Sequence, residues 1–266
     1  MSEQEETFTS AIWSERAEAD DPFTAAECRC AGYDVFGDLL GQVEWIEYLF
    51  LLFRKEPPSQ PQKRLLNDLA VALAAQGPRD LATQAATSAA AGGSPMAACL
   101  MAALSVGAGQ HGGAREVYHA VLCWESFAQD TKQWQRYLSQ SWPLPDPSTW
   151  PDREHPAGFD PNGLACSRPT LQTLSRLASH PATPHLNWLR DKRPALETAA
   201  SMPLALSGVA ASAFFDLGFD AQQAEMLYLL LRLPGAAAFA LEQHVEGWSS
   251  YPFHSEGLHL LNDPGN

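Results

Sequence analysis

Basic residues are scarce in this chain. Lysine and arginine together number 17, against 31 aspartate and glutamate residues, which gives a formal net charge of −14. General binding to nucleic acid or to an anionic membrane surface depends on clustered Lys and Arg, because phosphate contacts reward positive charge. We therefore expect no nucleic-acid partner and no membrane partner. An anionic ligand would need a local basic pocket.

Cysteines are also few, and their number is odd. The five are Cys28, Cys30, Cys99, Cys123 and Cys166, with no pair at C-x-x-C spacing. This pattern supports neither a disulfide framework nor a zinc site. A reducing compartment suits such free thiols, so we predict a cytoplasmic protein without a metal site.

Long apolar runs and leader-like features are lacking. Residues 1–10 are acidic and contain no apolar core, so we expect a flexible tail there rather than a signal peptide. The apolar run at residues 48–53 is far shorter than the roughly 20 residues that a membrane-spanning helix needs. Neither segment predicts a membrane protein.

Strand-like alternation is nearly absent, and its one candidate is a short hairpin near residues 28–35. Apolar residues instead recur at helical spacing over most of the chain. The proline-rich segment 141–170 is typical of a loop. The pattern therefore predicts an all-α fold. The predicted helices cover residues 42–54, 63–76, 80–91, 94–106, 115–140, 170–178, 203–218 and 220–233.

One histidine stands among unusually small residues. The segment SVGAGQHGGAREV, residues 105–117, places His111 beside Gly112 and Gly113. Glycine lets a ligand or another backbone approach closely. One interpretation is therefore that a ligand or another part of the chain contacts His111. A tight connection between helices is the other. The pattern G-x-G-x-x-G also occurs here, but it follows a predicted helix instead of a strand, which excludes the dinucleotide-binding motif.

Five segments, in order, resemble the citrate synthase family, and most closely its short citryl-CoA lyase-type members. The resemblance covers roughly residues 31–243. It is carried by AGYDVFGDLLGQVEWIEYLFLLFRKEPPSQPQ, MAALSVGAGQHGGAREV, EHPAGFDP, LALSGVAASAFFDLGF and LLRLPGAAAFALEQ.

The resemblance implies chemistry on a coenzyme A thioester, as substrate, without a covalently bound cofactor. Such enzymes make or cleave a C–C bond between an acyl-CoA and an oxo acid through an enolate. His111 would stabilise the enolate, and His155 would polarise the oxo-acid carbonyl or take the hydroxyl proton. Arg232 would bind a substrate carboxylate, while Gly112 and Gly113 would let coenzyme A approach.

Several positions depart from the family pattern. Ser207 stands where the catalytic aspartate is expected, and a serine hydroxyl is no base near neutral pH without an activating group. The segment DPN, residues 160–162, lacks a carboxylate-binding arginine for which Arg168 is a candidate substitute. Three interpretations remain open: a lyase or synthase for a less charged substrate, a catalytically impaired relative that binds CoA thioesters or a protein partner, and a chance resemblance.

The resemblance also implies a domain arrangement. We expect a large helical domain of residues 11–111 and 233–266, a small domain of residues 112–232, and a ligand cleft between them. The family forms homodimers, and the alanine-rich helices of this chain suit such an interface. The proline-rich loop around residues 153–168 is expected to be mobile and to order over bound ligand.

Overall fold

Helices dominate the computed structural model, which describes residues 7–142 and 154–251. The mainly helical fold predicted from the sequence is confirmed. The α-helices are α1 (Trp45–Arg54), α2 (Gln60–Ala74), α3 (Leu81–Ala91), α4 (Met96–Gly107), α5 (Ala114–Phe127), α6 (Thr131–Leu138), α7 (Arg168–Ala178), α8 (Pro184–Ala200), α9 (Leu206–Asp216) and α10 (Ala221–Glu246).

A small antiparallel sheet precedes the helices. Its strands pair in the order β1 (Thr7–Thr9), β2 (Trp13–Ala17), β3 (Ala25–Cys30), β4 (Tyr33–Asp34). The hairpin expected at residues 28–35 is the β3–β4 pair, but β1 and β2 were not predicted. Thr7–Thr9 were assigned to a flexible tail and instead pair with β2, whereas residues 1–6 lie outside the described residues.

The predicted helix over residues 115–140 is two helices. Ala128 ends α5 with a φ of 43°, which a right-handed helix does not permit. Asp130 then caps α6 by accepting hydrogen bonds from the backbone N–H groups of Lys132 and Gln133. The apolar periodicity continues across this break, so spacing alone did not reveal it.

Helix α8 was not predicted, because prolines flank and interrupt its sequence. Pro184 occupies the first turn, where its missing N–H costs no hydrogen bond, and Pro194 lies inside the helix. The buried carboxylate of Asp216, on α9, accepts hydrogen bonds from the backbone N–H groups of His185 and Leu186 and binds the His185 ring. A contact distant in sequence therefore stabilises the start of α8.

The chain divides into two compact units. The first contains residues 1–73 and 109–228, and the second contains residues 74–108 and 229–266. This division groups residues 11–73 with residues 112–228, which the sequence-based scheme assigned to different domains. The predicted large domain (residues 11–111 and 233–266) and small domain (residues 112–232) stay a prediction.

Small residues allow close packing in each unit. In the first unit α9 packs against α5, and every residue from Ser207 to Phe214 is buried. In the second unit α3 and α4 pack through alanines, and Gly235 meets the backbone of Ala74. Helix α9 is therefore buried on more than one face.

One described helix, α10, is long and apolar enough to cross a membrane by length and composition. The core helices of water-soluble proteins pass the same test, and α10 includes the buried polar residues Arg232 and Gln243. The finding is therefore weak as an indication of membrane insertion.

Candidate functional site

A buried carboxylate joins three separate segments of the first unit. Glu116, the third residue of α5, is 3% exposed. Its Oε2 accepts a hydrogen bond from the Gly112 N–H at 2.7 Å. Its Oε1 accepts hydrogen bonds from the Gly158 N–H at 2.9 Å and from Ser207 Oγ at 2.7 Å. One side chain thereby connects the turn before α5, the segment after His155 and the first turn of α9.

Two of the predicted catalytic residues lie face to face. The imidazole rings of His111 and His155 are stacked, with their centroids 5.5 Å apart and their planes 29° apart. His111 is exposed to solvent, whereas His155 is buried. Of the two stacked rings, His111 is therefore the one accessible from solvent.

Ser207 donates a hydrogen bond to Glu116, which in turn binds the backbone next to each histidine's segment. Glu116 thus links Ser207, which stands in place of the family's aspartate, to the segments that follow His111 and His155. Their neighbourhood arises from packing between α5, α9 and the segment before Asp160, which are distant in sequence. The geometry shows this arrangement, while the individual roles stay predictions.

Two glycines make the close approach to α9 feasible. A Cβ built on Gly208 would lie 2.5 Å from the Gly158 carbonyl oxygen, and one on Gly158 would lie 2.8 Å from Gly208 Cα. Gly158 also has a φ of +88°, a conformation that other residues rarely adopt. The Ala205 N–H donates to the Gly158 carbonyl at 2.9 Å. The glycine after Ser207 is therefore required by backbone contact within the protein.

The segment around His155 is part of the packed interior. Residues 155–159 are buried, and the Asp160 N–H donates to the Pro203 carbonyl. Phe159 also forms an isolated β-bridge with Leu204. The mobility expected for residues 153–168 stays a prediction, and in this structure residues 155–160 of that segment are packed. Residue 153 lies outside the described residues.

Burial controls the protonation of Glu116. Removal from water raises the pKa of this carboxyl above its ordinary value of 4.5, because the charged form loses hydration. Hydrogen bonds from Ser207, Gly158 and Gly112, followed by the positive charge available to His111, lower the pKa in part. The result is a carboxyl group that binds its proton more tightly than an exposed glutamate.

The two glycines after His111 have different surroundings. Gly112 is exposed with a φ of +66°, and a Cβ built there would meet no atom within 4 Å. Gly113 is buried and is the N-cap of α5. Gly112 therefore leaves open space beside His111. The contact with coenzyme A implied for both glycines stays a prediction.

The two predicted carboxylate-binding arginines lie on α10 and α7. Arg232 belongs to the second unit, where it is buried and forms an ion pair with Asp80. Asp80 also caps α3 by accepting a hydrogen bond from the Thr83 N–H. Arg168 is the exposed first residue of α7, and no ion pair is formed by it among the described residues. Their binding roles are untested.

Glu116 was missed by the sequence reasoning. Its sequence signal is its position in the first turn of a helix, where an acidic side chain interacts favourably with the helix dipole and with free backbone N–H groups. That signal predicts a local cap only. The contacts with Gly158 and Ser207 join residues 42 and 91 positions apart, so they required the tertiary structure.

The described residues, 7–142 and 154–251, contain no group of three or more His, Cys, Asp or Glu side chains placed to hold a metal ion. The chemistry available from the described site consists of imidazole, hydroxyl and carboxyl groups. These groups suit proton transfer and the stabilisation of a developing negative charge.

Solved structures with this fold include a citryl-CoA lyase from Hydrogenobacter thermophilus. It matches with a TM-score of 0.70 and 16% identity, over 97% of this chain and 96% of that chain. A variant ATP citrate lyase of Methanosaeta concilii, in complex with (3S)-citryl-CoA, has a TM-score of 0.70 and 15% identity over 98% of this chain. The enzyme from Methanothrix soehngenii, in complex with citrate and coenzyme A, has a TM-score of 0.70 and 16% identity over 98% of this chain.

This chain spans only 42% of each ATP citrate lyase chain. No protein-family model matches the sequence, and no characterised protein matches it by sequence. At 15–16% identity, the structural likeness establishes the fold.

Proposed function

We propose that this chain, which has a citrate synthase-like fold of the citryl-CoA lyase type, cleaves a C–C bond in a hydroxyacyl-CoA thioester related to citryl-CoA. The fold was predicted from the sequence and is confirmed by the structural likeness. The observation that carries the proposal is the exposed His111 stacked on the buried His155, in a fold whose solved examples include a citryl-CoA lyase.

The roles implied by the resemblance suit this geometry. His155 takes the proton of the substrate hydroxyl, and the C–C bond breaks. The carbon that carried the hydroxyl becomes the carbonyl of the oxo acid, and the electron pair of the broken bond passes to the thioester as an enolate. His111 donates a hydrogen bond to the thioester oxygen, where negative charge develops. The same steps in reverse form the bond.

The substrate is proposed to carry fewer carboxylates than citrate. Asn162 stands where the family pattern has a carboxylate-binding arginine, and the buried Arg232 is already paired with Asp80. A carboxylate without a cationic partner binds weakly in a partly buried site. The proposed substrate class is therefore a CoA thioester of a hydroxy acid, yielding a smaller acyl-CoA and an oxo acid.

The assembly and location of the protein are further parts of the proposal. A homodimer, a cytoplasmic location and a ligand cleft between two domains follow from the resemblance and the composition. Each of them awaits its own measurement.

A second function is favoured by one observation. Ser207 replaces the family's catalytic aspartate. The alternative function is therefore binding of CoA thioesters without turnover. Such a protein would be a binding or regulatory relative. It would keep the fold and the open space beside Gly112.

The first experiment measures turnover and binding on the same preparations. The full chain is incubated with citryl-CoA, and with hydroxyacyl-CoA thioesters of fewer carboxylates, while acetyl-CoA and oxo-acid release are followed. We expect His111→Ala to lower kcat by about 10²-fold or more, because oxyanion stabilisation acts mainly in the transition state. Thioester affinity should change much less.

His244→Ala is the matched control, since it removes an exposed imidazole from α10. Full turnover in His111→Ala would contradict the role of His111. Absence of turnover in the wild type together with thioester binding would favour the binding protein.

A further inference from the structure

Loss of the family's aspartate leaves the proposed reaction without an evident proton donor. After C–C cleavage, the enolate carbon must receive a proton to become the acyl-CoA product. Ser207 occupies the aspartate position, and a hydroxyl group alone is too weak an acid for this step. The inference developed here rests on the proposed lyase function and concerns which group supplies that proton.

The structure gives Ser207 a carboxyl partner. Ser207 Oγ and Glu116 Oε1 are 2.7 Å apart, which is the ordinary length of a well-formed hydrogen bond between a hydroxyl and a carboxyl oxygen. Both side chains are 3% exposed, so bulk water does not compete with the bond. Ser212, a second buried serine of α9, has no hydrogen-bond partner in the described structure. The pairing is therefore specific to Ser207.

We infer that Glu116, acting through the Ser207 hydroxyl, replaces the missing catalytic aspartate. In the cleavage direction, Ser207 donates its hydroxyl proton to the enolate carbon and receives the carboxyl proton of Glu116 at Oγ. Glu116 is left as a carboxylate. Between turnovers His155 releases to solvent the proton that it took from the substrate hydroxyl, and Glu116 takes up one proton, so protons and electrons balance over the cycle. Ser207 contacts the reacting carbon, and Glu116 is a positioning and proton-storing residue.

The hydrogen bonds of Glu116 are compatible with proton transfer from its carboxyl to Ser207 Oγ. The Gly112 N–H binds Oε2, whereas the Gly158 N–H and Ser207 share Oε1. A proton on Oε1 reverses the bond to Ser207 and leaves both backbone N–H contacts intact. Burial, which raises the pKa of this carboxyl, favours the protonated form that the path needs.

A purely structural role for Glu116 makes a different prediction. The carboxylate would then only connect the turn at Gly112, the segment at Gly158 and α9. Removal of the Ser207 hydroxyl leaves both backbone contacts in place, so it would have little effect on catalysis. A carboxylate introduced at position 207 would not compensate for the loss of Glu116.

The test follows proton transfer at carbon directly. The full chain is incubated in D₂O with acetyl-CoA and either oxaloacetate or an oxo acid with a single carboxylate, and deuterium entry into the acetyl methyl group is measured by mass spectrometry. We expect Ser207→Ala and Glu116→Gln to lower the exchange rate by about 10²–10⁴-fold, the usual contribution of a general acid or base. Affinity for acetyl-CoA should be unchanged in Ser207→Ala. Ser212→Ala is the matched control and should exchange at the wild-type rate.

The rescue variant separates proton transfer from positioning. Combining Ser207→Asp with Glu116→Gln supplies a carboxylate at position 207, and we expect exchange to recover to within about tenfold of wild type. Wild-type exchange in Ser207→Ala overturns the inference, even if Glu116→Gln fails to fold. Failure of rescue in a folded double variant also overturns it. A wild-type chain without cleavage or exchange overturns the lyase function itself, and the inference with it.

Discussion

Glu116 holds three segments of the chain together, and the protonation of its carboxyl depends on the same surroundings. Its three hydrogen bonds come from groups in three segments, and each of them favours the ionised form. Its burial favours the neutral form and is the larger influence on its pKa. The stability of the fold should therefore depend on the protonation of this one carboxyl.

The expected pH dependence has a definite sign. A carboxyl with a raised pKa stabilises the fold below its ordinary pKa of 4.5, and that contribution is lost as pH rises through the folded-state pKa. Relative to Glu116→Gln, which does not titrate, wild-type stability should fall with rising pH. Each unit of raised pKa corresponds to about 1.4 kcal/mol.

Urea denaturation between pH 4 and pH 8 measures this difference. His111 also influences the pKa of Glu116 electrostatically, so it is replaced by Asn in both chains. A difference in stability between the two chains that stays constant with pH would contradict the assignment.

At the element scale, the backbones of α9 and of the segment containing His155 approach each other at two glycines. We expect Gly208→Ala to destabilise the protein by about 1–3 kcal/mol, because the new methyl group would lie 2.5 Å from the Gly158 carbonyl oxygen. Separation of the two backbones would also lengthen the bond between Gly158 and Glu116. Catalysis should fall together with stability.

Gly92→Ala supplies the control for this variant. A methyl group at Gly92 meets only ordinary contacts at 3.5 Å, and its φ of −72° suits any residue. Thermal unfolding of both variants measures the effect. If Gly208→Ala were as stable as wild type, close contact between the two backbones would not be required for the stability of the fold.

At the scale of the whole molecule, ligand binding distinguishes the two candidate functions from a shared fold alone. We expect a CoA thioester to stabilise the chain by about 2.7 kcal/mol at 100 times its dissociation constant. Thermal unfolding with acetyl-, propionyl- and citryl-CoA measures this, and free adenosine controls for binding through the nucleoside. Stabilisation without turnover supports the binding protein. No stabilisation by any thioester would leave only the fold in common with citryl-CoA lyase.

Helical spacing was enough to predict the mainly helical fold, and the resemblance to the citrate synthase family pointed to His111, His155 and Ser207. Helical periodicity is a local property, since residues three and four positions apart share one helix face. The same local information placed most helices within a few residues of their observed bounds. The order of five short motifs was sufficient for the citryl-CoA lyase-type fold, which the structural likeness confirms.

Features that depend on contacts between residues distant in sequence were visible only in the tertiary structure. Strand β2 has no fully buried residue, so its alternation is faint until pairing with its neighbours defines it. Helix α8 begins where Asp216 binds its first turn, despite the prolines in its sequence. Glu116 looked like a local helix cap, and only packing of α5 against α9 joined it to Ser207. The pKa of a buried carboxyl depends on the groups that surround it in space, and local sequence patterns do not encode those neighbours.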